Sequence, residues 1–393
     1  MDSATDTIEK LSQSYKDGAT SPTDVVAALL EKIHAENDYY GAYQAVWVDE
    51  AIEAAQIATK ALKSGASYGL LHGVPFALKD IFHVKGKPTT CGSVEPVTKT
   101  GNVTSIVVER LVNAGAIILG KTKTVECAFG GWGTNQKMGT PRNPWDDDVH
   151  RIPGGSSSGS AVAVAANHAI CAVGSDTGGS VRLPAAYCGL VGLKVTYGRL
   201  PNHGIMPLSQ TLDSPGPITR TVRDAIIMFD VMDGRENWQI TQDYFEGLNN
   251  FYGLERGVAG LKVGCLSEDE RQHCAAETLD AYDFVLSKLR RDGAIIETFR
   301  NPSSYGKLAD INGAITAVEA YCNHGHLYED EKREMDSDVR ARMLSGKQHL
   351  AHEYFSMLQQ RQLDIESFNY SMIGLDVLIT PTTIGRAPSI DEV

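Results

Sequence analysis

Residues 154–182 read GGSSSGSAVAVAANHAICAVGSDTGGSVR, in which two Gly- and Ser-rich segments flank an apolar stretch. Within that stretch, residues 161–166 predict a helix and residues 169–173 form an apolar run that predicts a strand. Both flanking segments contain a Gly-Gly-Ser triplet, which ends at Ser156 in the first and at Ser180 in the second. Glycine lets a backbone approach a bound group and turn successive N–H groups toward an anion. The stretch therefore predicts two functional loops joined by a helix and a buried strand.

The rest of the chain alternates helical patterns with short apolar runs. Ser21 followed by Pro22 and by an apolar stripe over 25–33 marks the start of one helix. Further helices are predicted at 48–64, 105–113, 222–232 and 275–292, with one or two more over 312–370, and buried strands at 74–79, 114–119 and 376–380. Residues 130–220 are rich in Gly, Ser, Thr and Pro, which is typical of functional loops. This order predicts an α/β fold with helices covering a central sheet.

The composition excludes several classes of function. The chain has 393 residues and a formal net charge of −13, which disfavours binding to nucleic acid or to an anionic membrane. No run approaches the roughly 20 apolar residues of a membrane-spanning helix, and the polar N-terminus lacks the apolar core of a signal peptide. The seven cysteines are scattered without a Cys-x-x-Cys pair, as in reduced cytoplasmic proteins. We therefore expect a cytoplasmic protein with no metal and no other cofactor.

Two familiar motifs match the sequence without the context that they need. Residues 115–122, GAIILGKT, satisfy the phosphate-loop pattern, but their central residues are those of a core strand. Residues 155–159, GSSSG, satisfy the nucleophile-elbow pattern of α/β-hydrolases. The segment before them, 145–153, is acidic and ends in proline, unlike the buried strand that such an elbow follows. We expect neither motif to have the function for which it is known.

Longer motifs resemble the amidase signature family. GGSSSGSA at 154–161, GSDTGGSVR at 174–182 and PAAYCG at 184–189 match the diagnostic segment of that family almost letter for letter. LHGVPFALKD at 71–80 is similar to the segment that carries the family's catalytic lysine. The resemblance implies a single amidase signature domain over 1–393, with a signature core at about 71–234. Its fold would be a central mixed β-sheet covered on both faces by α-helices. We also expect family members to have a further C-terminal segment, which the sequence ending at Val393 does not include.

The resemblance implies a Ser-Ser-Lys catalytic triad. Ser180 would be the nucleophile, Ser156, after a cis peptide bond, would relay its proton, and Lys79 would be the base. The oxyanion hole would be formed by the backbone amides of Thr177, Gly178, Gly179 and Ser180.

The chemistry of lysine explains what Lys79 needs around it. A serine hydroxyl requires a base within hydrogen-bond reach, and lysine is a base only where burial lowers its pKa. Lys79 follows the apolar run 75–78, and strand alternation places Asp80 on the opposite face, where it would not form an ion pair with Lys79.

Further positions receive supporting roles from the same resemblance. Asp176 and Arg182 would hold the second loop, Ser157 would pack or hydrogen-bond locally, and the substrate pocket would include Gly130 and Gly131. Two residues depart from the usual family pattern, namely Ser158 in place of a glycine and Cys127 in place of an aromatic residue.

These observations predict an amidase that cleaves a carboxylic amide C–N bond through an acyl-enzyme on Ser180. Ester or carbamate hydrolysis is a plausible side activity, because those bonds acylate the same triad. The alternative is a glutaminase-type subunit of a tRNA-dependent amidotransferase. A third hypothesis, a non-catalytic binding protein, conflicts with the intact triad. The expected partner is a small-molecule amide, and the sequence also allows a homodimer.

Overall fold

The computed structural model describes residues 7–67, 69–98, 101–234 and 253–393. The described strands are β1 Tyr43–Val46, β2 Pro75–Lys79, β3 Ile117–Thr122, β4 Cys171–Asp176, β5 Val191–Gly192, β6 Ser214–Thr219, β7 Lys262–Cys265, β8 Ile295–Thr298 and β9 Val377–Leu378. The described helices are α1 Ile8–Lys16, α2 Pro22–Tyr40, α3 Val48–Lys63, α4 Ile106–Asn113, α5 Ser158–Ala165, α6 Arg182–Tyr187, α7 Val222–Asp233, α8 Glu268–Arg271, α9 Ala276–Arg291, α10 Tyr305–Tyr328, α11 Ser337–Ser345 and α12 Ala351–Ser371.

A six-stranded mixed sheet with the order β1-β3-β2-β4-β6-β5 forms the centre of the fold. Strands β3, β2 and β4 run parallel, whereas β1, β6 and β5 pair antiparallel with their neighbours. Every residue of β2, β4 and β6 is buried. A strand that is buried along its whole length must be covered on both faces of its sheet. The structure therefore confirms the predicted α/β fold with a covered central sheet.

The segment that matches the phosphate-loop pattern is strand rather than loop. The prediction of a strand at 114–119 is correct in kind, but β3 extends to Thr122 and includes the Gly-Lys-Thr of the pattern. A Cβ on Gly120 would lie 2.1 Å from the carbonyl oxygen of Ala45 on β1, so the neighbouring strand leaves no room for a ligand there. Lys121 is buried and forms an ion pair with Asp80.

Strand β6 is absent from the sequence-based prediction. It has the sequence SPGPIT, and its two prolines are untypical of a central strand because proline cannot donate a ladder hydrogen bond. The strand nevertheless pairs with β4 over 172–176 and with β5 at its other edge.

A second sheet with the order β8-β7-β9 lies outside the central one. Strands β7 and β8 were not predicted, because both are only four residues long and β8 is mostly exposed. The predicted strand at 376–380 exists as β9, but the prediction that it is buried is wrong. Val377 is 45% exposed, because β9 is an edge strand of this small sheet.

The region 312–370 contains three helices instead of the predicted one or two. They are α10, α11 and α12. The carboxylate of Asp336 accepts hydrogen bonds from the N–H groups of Asp338 and Val339, so it caps α11 and separates that helix from α10. Among the helices that the structure describes, none is long and apolar enough to cross a membrane.

Candidate active site

Lys79 is the last residue of β2 and lies inside the central sheet. Its side chain is completely buried, and its Nζ atom is 2.7 Å from Ser156 Oγ and 2.8 Å from Ser175 Oγ. Strands β2 and β4 are parallel neighbours, with Leu78 opposite Val173, so the carboxyl ends of both strands meet at this point. The structure thus brings together Lys79 and Ser156, which the sequence predicted, and adds Ser175, which it did not.

The surroundings of Lys79 favour its neutral form. Burial lowers the pKa of Lys79 to about 7, although the charges of Asp213 and Asp176 act in the opposite direction. Asp80 points away and binds Lys121 Nζ at 2.7 Å, as strand alternation predicted. A lysine with this pKa has a large neutral fraction at neutral pH and can accept a proton there.

The first Gly-Ser loop is fixed by the backbone around it. The peptide bond between Gly155 and Ser156 is cis. The Gly155 N–H donates to the carbonyl of Gly131 at 2.7 Å, and the Ser156 carbonyl accepts a hydrogen bond from Thr124 Oγ1 at 2.8 Å. A Cβ on Gly155 would lie 2.7 Å from the backbone nitrogen of Gly133, so only glycine fits at this position.

Ser157 connects the two loops. Its N–H donates to the carbonyl oxygen of Ser180 at 3.2 Å, and its hydroxyl donates to the carbonyl oxygen of Ser175 at 3.2 Å. Ser157 is completely buried at the beginning of α5, and no strand directly precedes it within the described part of the chain. It is therefore not the exposed serine of a nucleophile elbow. The hydrogen bonds of Ser157 instead hold the backbone of Ser180 close to Ser156, the residue that precedes Ser157.

Asp176 organises the second loop. Its carboxylate accepts hydrogen bonds from the N–H groups of Gly179 (2.8 Å) and Val181 (3.1 Å) and forms two more with the guanidinium of Arg182 (2.9 and 3.0 Å). Burial alone would raise the pKa of Asp176, but Arg182 and the two amides hold it below its ordinary value. The positions of Asp176 and Arg182 agree with their predicted role of holding the loop.

The same contacts distinguish one of the four amides of the predicted oxyanion hole from the other three. The N–H of Gly179 points at Asp176 Oδ1, because the turn closes on that carboxylate. Among the described residues, the amides of Thr177, Gly178 and Ser180 have no intramolecular acceptor. These three amides are therefore the candidate oxyanion donors.

Other residues near the loops were not predicted from the sequence. Leu183 lies between Gly131 and Gly179, since its side chain approaches the Cβ positions of both. Arg342 of α11 lies 3.3 Å from the Cβ position of Gly130, and Asn312 of α10 lies 3.1 Å from that of Gly178. Gly130 and Gly131 thus contact the two loops, and their place in the substrate pocket stays a prediction. No local sequence pattern marks Arg342 or Asn312, because only the tertiary fold brings their helices to the loops.

The two residues that depart from the family pattern lie close to the site. Cys127 is completely buried with φ +49°, a left-handed conformation, and its sulfur accepts a hydrogen bond from the Tyr328 hydroxyl at 3.2 Å. Ser158 donates to the carbonyl of Lys123 at 3.4 Å. Both residues thus have local structural contacts.

A cavity of about 240 Å³ adjoins Ser175 on the side of the 202–213 segment. Ser175 and Asp213 both line it, together with Tyr197, Asn202, Ser209 and Gln210. Among the described residues, no cluster of three or more His, Cys, Asp or Glu side chains is placed to hold a metal ion.

Comparison with known proteins agrees with the resemblance found in the sequence. The family model described as Amidase matches residues 24–393. A glutamyl-tRNA(Gln) amidotransferase subunit from Alkaliphilus metalliredigens (strain QYMF) is 32% identical over 402 residues, which cover 96% of this chain and 81% of the relative.

Solved structures give the same result. A crystal structure described as an amidase superposes with a TM-score of 0.86 at 29% identity, covering 98% of this chain and 84% of the other. The corresponding glutamyl-tRNA(Gln) amidotransferase subunit from Thermotoga maritima superposes with a TM-score of 0.75 at 27% identity, covering 100% of this chain and 82% of the other.

Proposed function

Because the chain belongs to the amidase signature family and is an amidase that acts on C–N bonds, we propose that it hydrolyses a carboxylic amide through an acyl-enzyme on Ser180. The observation that carries this proposal is the 2.7 Å contact between the buried Lys79 Nζ and Ser156 Oγ. Lys79 is a base with a lowered pKa, and the hydroxyl of Ser156 can connect it to the second serine, Ser180.

In the proposed acylation step, Ser180 Oγ attacks the amide carbon and gives its proton to Ser156 Oγ. Ser156 passes its own proton to Lys79 Nζ, which becomes an ammonium. The developing oxyanion is stabilised by the amides of Thr177, Gly178 and Ser180, since each such donor is worth about 2.7–4 kcal/mol in the transition state.

The same relay runs backward when the tetrahedral intermediate collapses. Lys79 returns a proton through Ser156 to the departing nitrogen, which leaves as ammonia or an amine. Water, activated by the same relay, then attacks the acyl-enzyme and releases the acid. Esters and carbamates would acylate Ser180 in the same way, so we include hydrolysis of these bonds in the proposal.

The proposal is tested by replacing the nucleophile. Ser180→Ala should abolish both amide hydrolysis and covalent labelling by a fluorophosphonate, while thermal unfolding stays cooperative. Ser160→Ala is the matched control: Ser160 is a buried serine of α5 whose hydroxyl bonds Thr122 and Val173, and we expect that variant to stay active. Labelling of Ser180→Ala at the wild-type rate would overturn the assignment of Ser180.

A second candidate function is a glutaminase-type subunit of a tRNA-dependent amidotransferase. The curated relatives with about one-third identity are named as subunits of glutamyl-tRNA(Gln) amidotransferase, so the comparisons support this function more strongly than a stand-alone amidase. Arg342 is a further observation in its favour. Its Nε atom is buried without a partner, and no carboxylate pairs with it among the described residues. Its guanidinium beside Gly130 is available to pair with the carboxylate of glutamine.

This second candidate predicts a selective effect of Arg342. Arg342→Gln should raise KM for glutamine at least tenfold, because one charge-assisted hydrogen bond is lost, and should change the hydrolysis of a neutral alkyl amide little. Arg342→Lys, which keeps the charge, should show a smaller effect. An equal loss for both substrates would indicate a structural role for Arg342. Activity of the purified chain without any co-purifying partner would favour the stand-alone amidase.

Location and association belong to the same proposal. All seven cysteines are free thiols in the structure, which supports a cytoplasmic location. A homodimer stays a prediction, and sedimentation of the purified chain would test it.

A further inference from the structure

Asp213 lies directly before β6 and binds two separate parts of the candidate site. Its Oδ1 atom accepts a hydrogen bond from Thr177 Oγ1 at 2.5 Å. It therefore holds a side chain of residues 177–180, which we call the oxyanion loop. Its Oδ2 atom accepts hydrogen bonds from the N–H groups of Leu208 (2.8 Å) and Ser209 (3.0 Å). One carboxylate therefore joins the oxyanion loop to the 207–210 turn.

Asp213 shares the 240 Å³ cavity with Ser175, which contacts Lys79. Asp213 and Ser175 are both lining residues, and the Ser175 hydroxyl lies 2.8 Å from Lys79 Nζ. The charge of Asp213 favours the protonated form of Lys79 and is the largest single electrostatic influence that opposes the effect of burial. The carboxylate and the amine thus interact through space.

The other charges near Lys79 are already compensated. Asp176 is paired with Arg182, and Asp80 is paired with Lys121. Burial raises the pKa of the Cys91 thiol well above its ordinary value, so that thiol is neutral at physiological pH. Asp213, in contrast, accepts hydrogen bonds only from neutral donors among the described residues. Burial raises the pKa of Asp213, whereas the hydrogen bonds from Thr177, Ser209 and Leu208 and the charge of Lys79 act in the opposite direction. Among the described residues, Asp213 is therefore the carboxylate near Lys79 that forms no ion pair with an Arg or Lys side chain.

We propose that Asp213 is a positioning residue that holds Thr177 in the oxyanion loop and whose charge sets how readily Lys79 gives up its proton. The inference rests on the proposed function, since it concerns the same triad. It adds a control on the pH range in which Ser180 is reactive. The carboxylate raises the pKa of Lys79, so at a given pH a smaller fraction of the lysine is neutral and able to accept the proton of Ser180, and the ammonium that forms holds its proton more firmly.

The test measures the rate of fluorophosphonate labelling of Ser180 as a function of pH. This probe needs only activation of the nucleophile, because its leaving group is fluoride and needs no proton. For the wild type, the rate should rise through the Lys79 pKa of about 7. In Asp213→Asn, the midpoint should move to lower pH by at least about half a unit, since a nearby opposite charge shifts a pKa by about 1–3 units.

Thr177→Val is the matched control, because it removes the same loop hydrogen bond and keeps the charge of Asp213. It should slow labelling several-fold and leave the midpoint unchanged. Asp213→Asn places an NH₂ group against backbone N–H donors, and that variant could fail to fold for this reason. Asp213→Ser is therefore made as a second neutral variant. It should show the same downward shift.

The outcomes separate this inference from the proposed function. A folded, neutral Asp213 variant with an unchanged midpoint would overturn the inference, and so would an equal shift in Thr177→Val. If instead Ser180→Ala is labelled like the wild type, the assignment of the nucleophile itself fails, whatever Asp213 does.

Discussion

At the scale of single residues, the charge of Lys79 is decided by burial on one side and by two carboxylates on the other. Burial is the larger effect and lowers the pKa to about 7. The two serines that contact Nζ add no charge, and their hydrogen bonds fix the direction of the amine. The reactivity of the site thus depends on geometry and dielectric more than on any ion pair.

This balance predicts the pH dependence of the enzyme. Below a pKa of about 7, Lys79 is protonated and cannot take the proton of Ser180, so kcat/KM should fall as the pH decreases through that value. Above it, the rate should level off. The measurement is kcat/KM between pH 5 and pH 9 with a neutral amide, and a midpoint near 10 would contradict the burial argument.

Ser175 makes a separate prediction. Ser175→Ala removes one of the two hydroxyls that orient Lys79 Nζ, and a misplaced base loses rate. We expect kcat to fall about 10- to 100-fold, with KM nearly unchanged. Ser160→Ala again serves as the control, because its hydroxyl contacts Thr122 and Val173. A change in KM alone would show that Ser175 contacts substrate and does not orient the lysine.

At the scale of elements, the ends of β2 and β3 are held together by the buried Asp80–Lys121 pair. The carboxylate of Asp80 binds Lys121 Nζ at 2.7 Å and accepts the Thr90 N–H at 3.0 Å, and both charged side chains are at most 2% exposed. Since Asp80 follows Lys79 directly, this pair also fixes the strand end that carries the base. Lys121, which is the lysine of the phosphate-loop pattern, therefore has a structural role.

Removing one partner of this pair should destabilise the fold strongly. Lys121→Met leaves the Asp80 carboxylate buried and unpaired, and we expect a loss of about 3–5 kcal/mol in the free energy of unfolding. The double variant Asp80→Asn/Lys121→Met should recover part of that loss. Urea unfolding at pH 7 measures both. Lys123→Met is the control, because the half-buried Lys123 has no ion-pair partner among the described residues, and its loss should stay within about 1 kcal/mol.

The sequence predicts elements well where the pattern is local. Lys79 follows an apolar run and Ser156 and Ser180 follow paired glycines, but only the resemblance to the amidase signature family assigns the three residues to one site. Strand β6 cannot be predicted from neighbouring residues, because its two prolines hide a strand that is held by β4 and β5. Arg342 and Asn312 cannot either, since they reach Gly130 and Gly178 only through the packing of distant helices.

At the scale of the whole molecule, the described residues form a large apolar cluster and a small one. The large cluster surrounds the six-stranded sheet and includes residues of α1 through α7, α10 and α11. The small cluster, around Cys265, Leu266, Tyr282 and Leu286, supports the second sheet. Helix α12 has no fully buried residue, and Phe284 and Phe355 are each at least 60% exposed. Apolar burial, and with it stability, is therefore concentrated around the six-stranded central sheet.

This distribution predicts unequal local stability within the chain. Amides of β2, β4 and β6 should exchange with deuterium only through global unfolding, whereas those of β7, β8 and α12 should exchange faster through local opening, because fewer apolar contacts oppose it. Hydrogen exchange followed by mass spectrometry, at two denaturant concentrations below the unfolding midpoint, measures both sets in one sample.

The single domain expected over 1–393 predicts the opposite result, namely equal protection that is lost in one step. Equal protection would show that the small cluster unfolds together with the large one. Unequal protection would separate the six-stranded central sheet from a less stable C-terminal region, and Ser180 should then stay reactive toward a fluorophosphonate under conditions in which β7 and β8 already exchange.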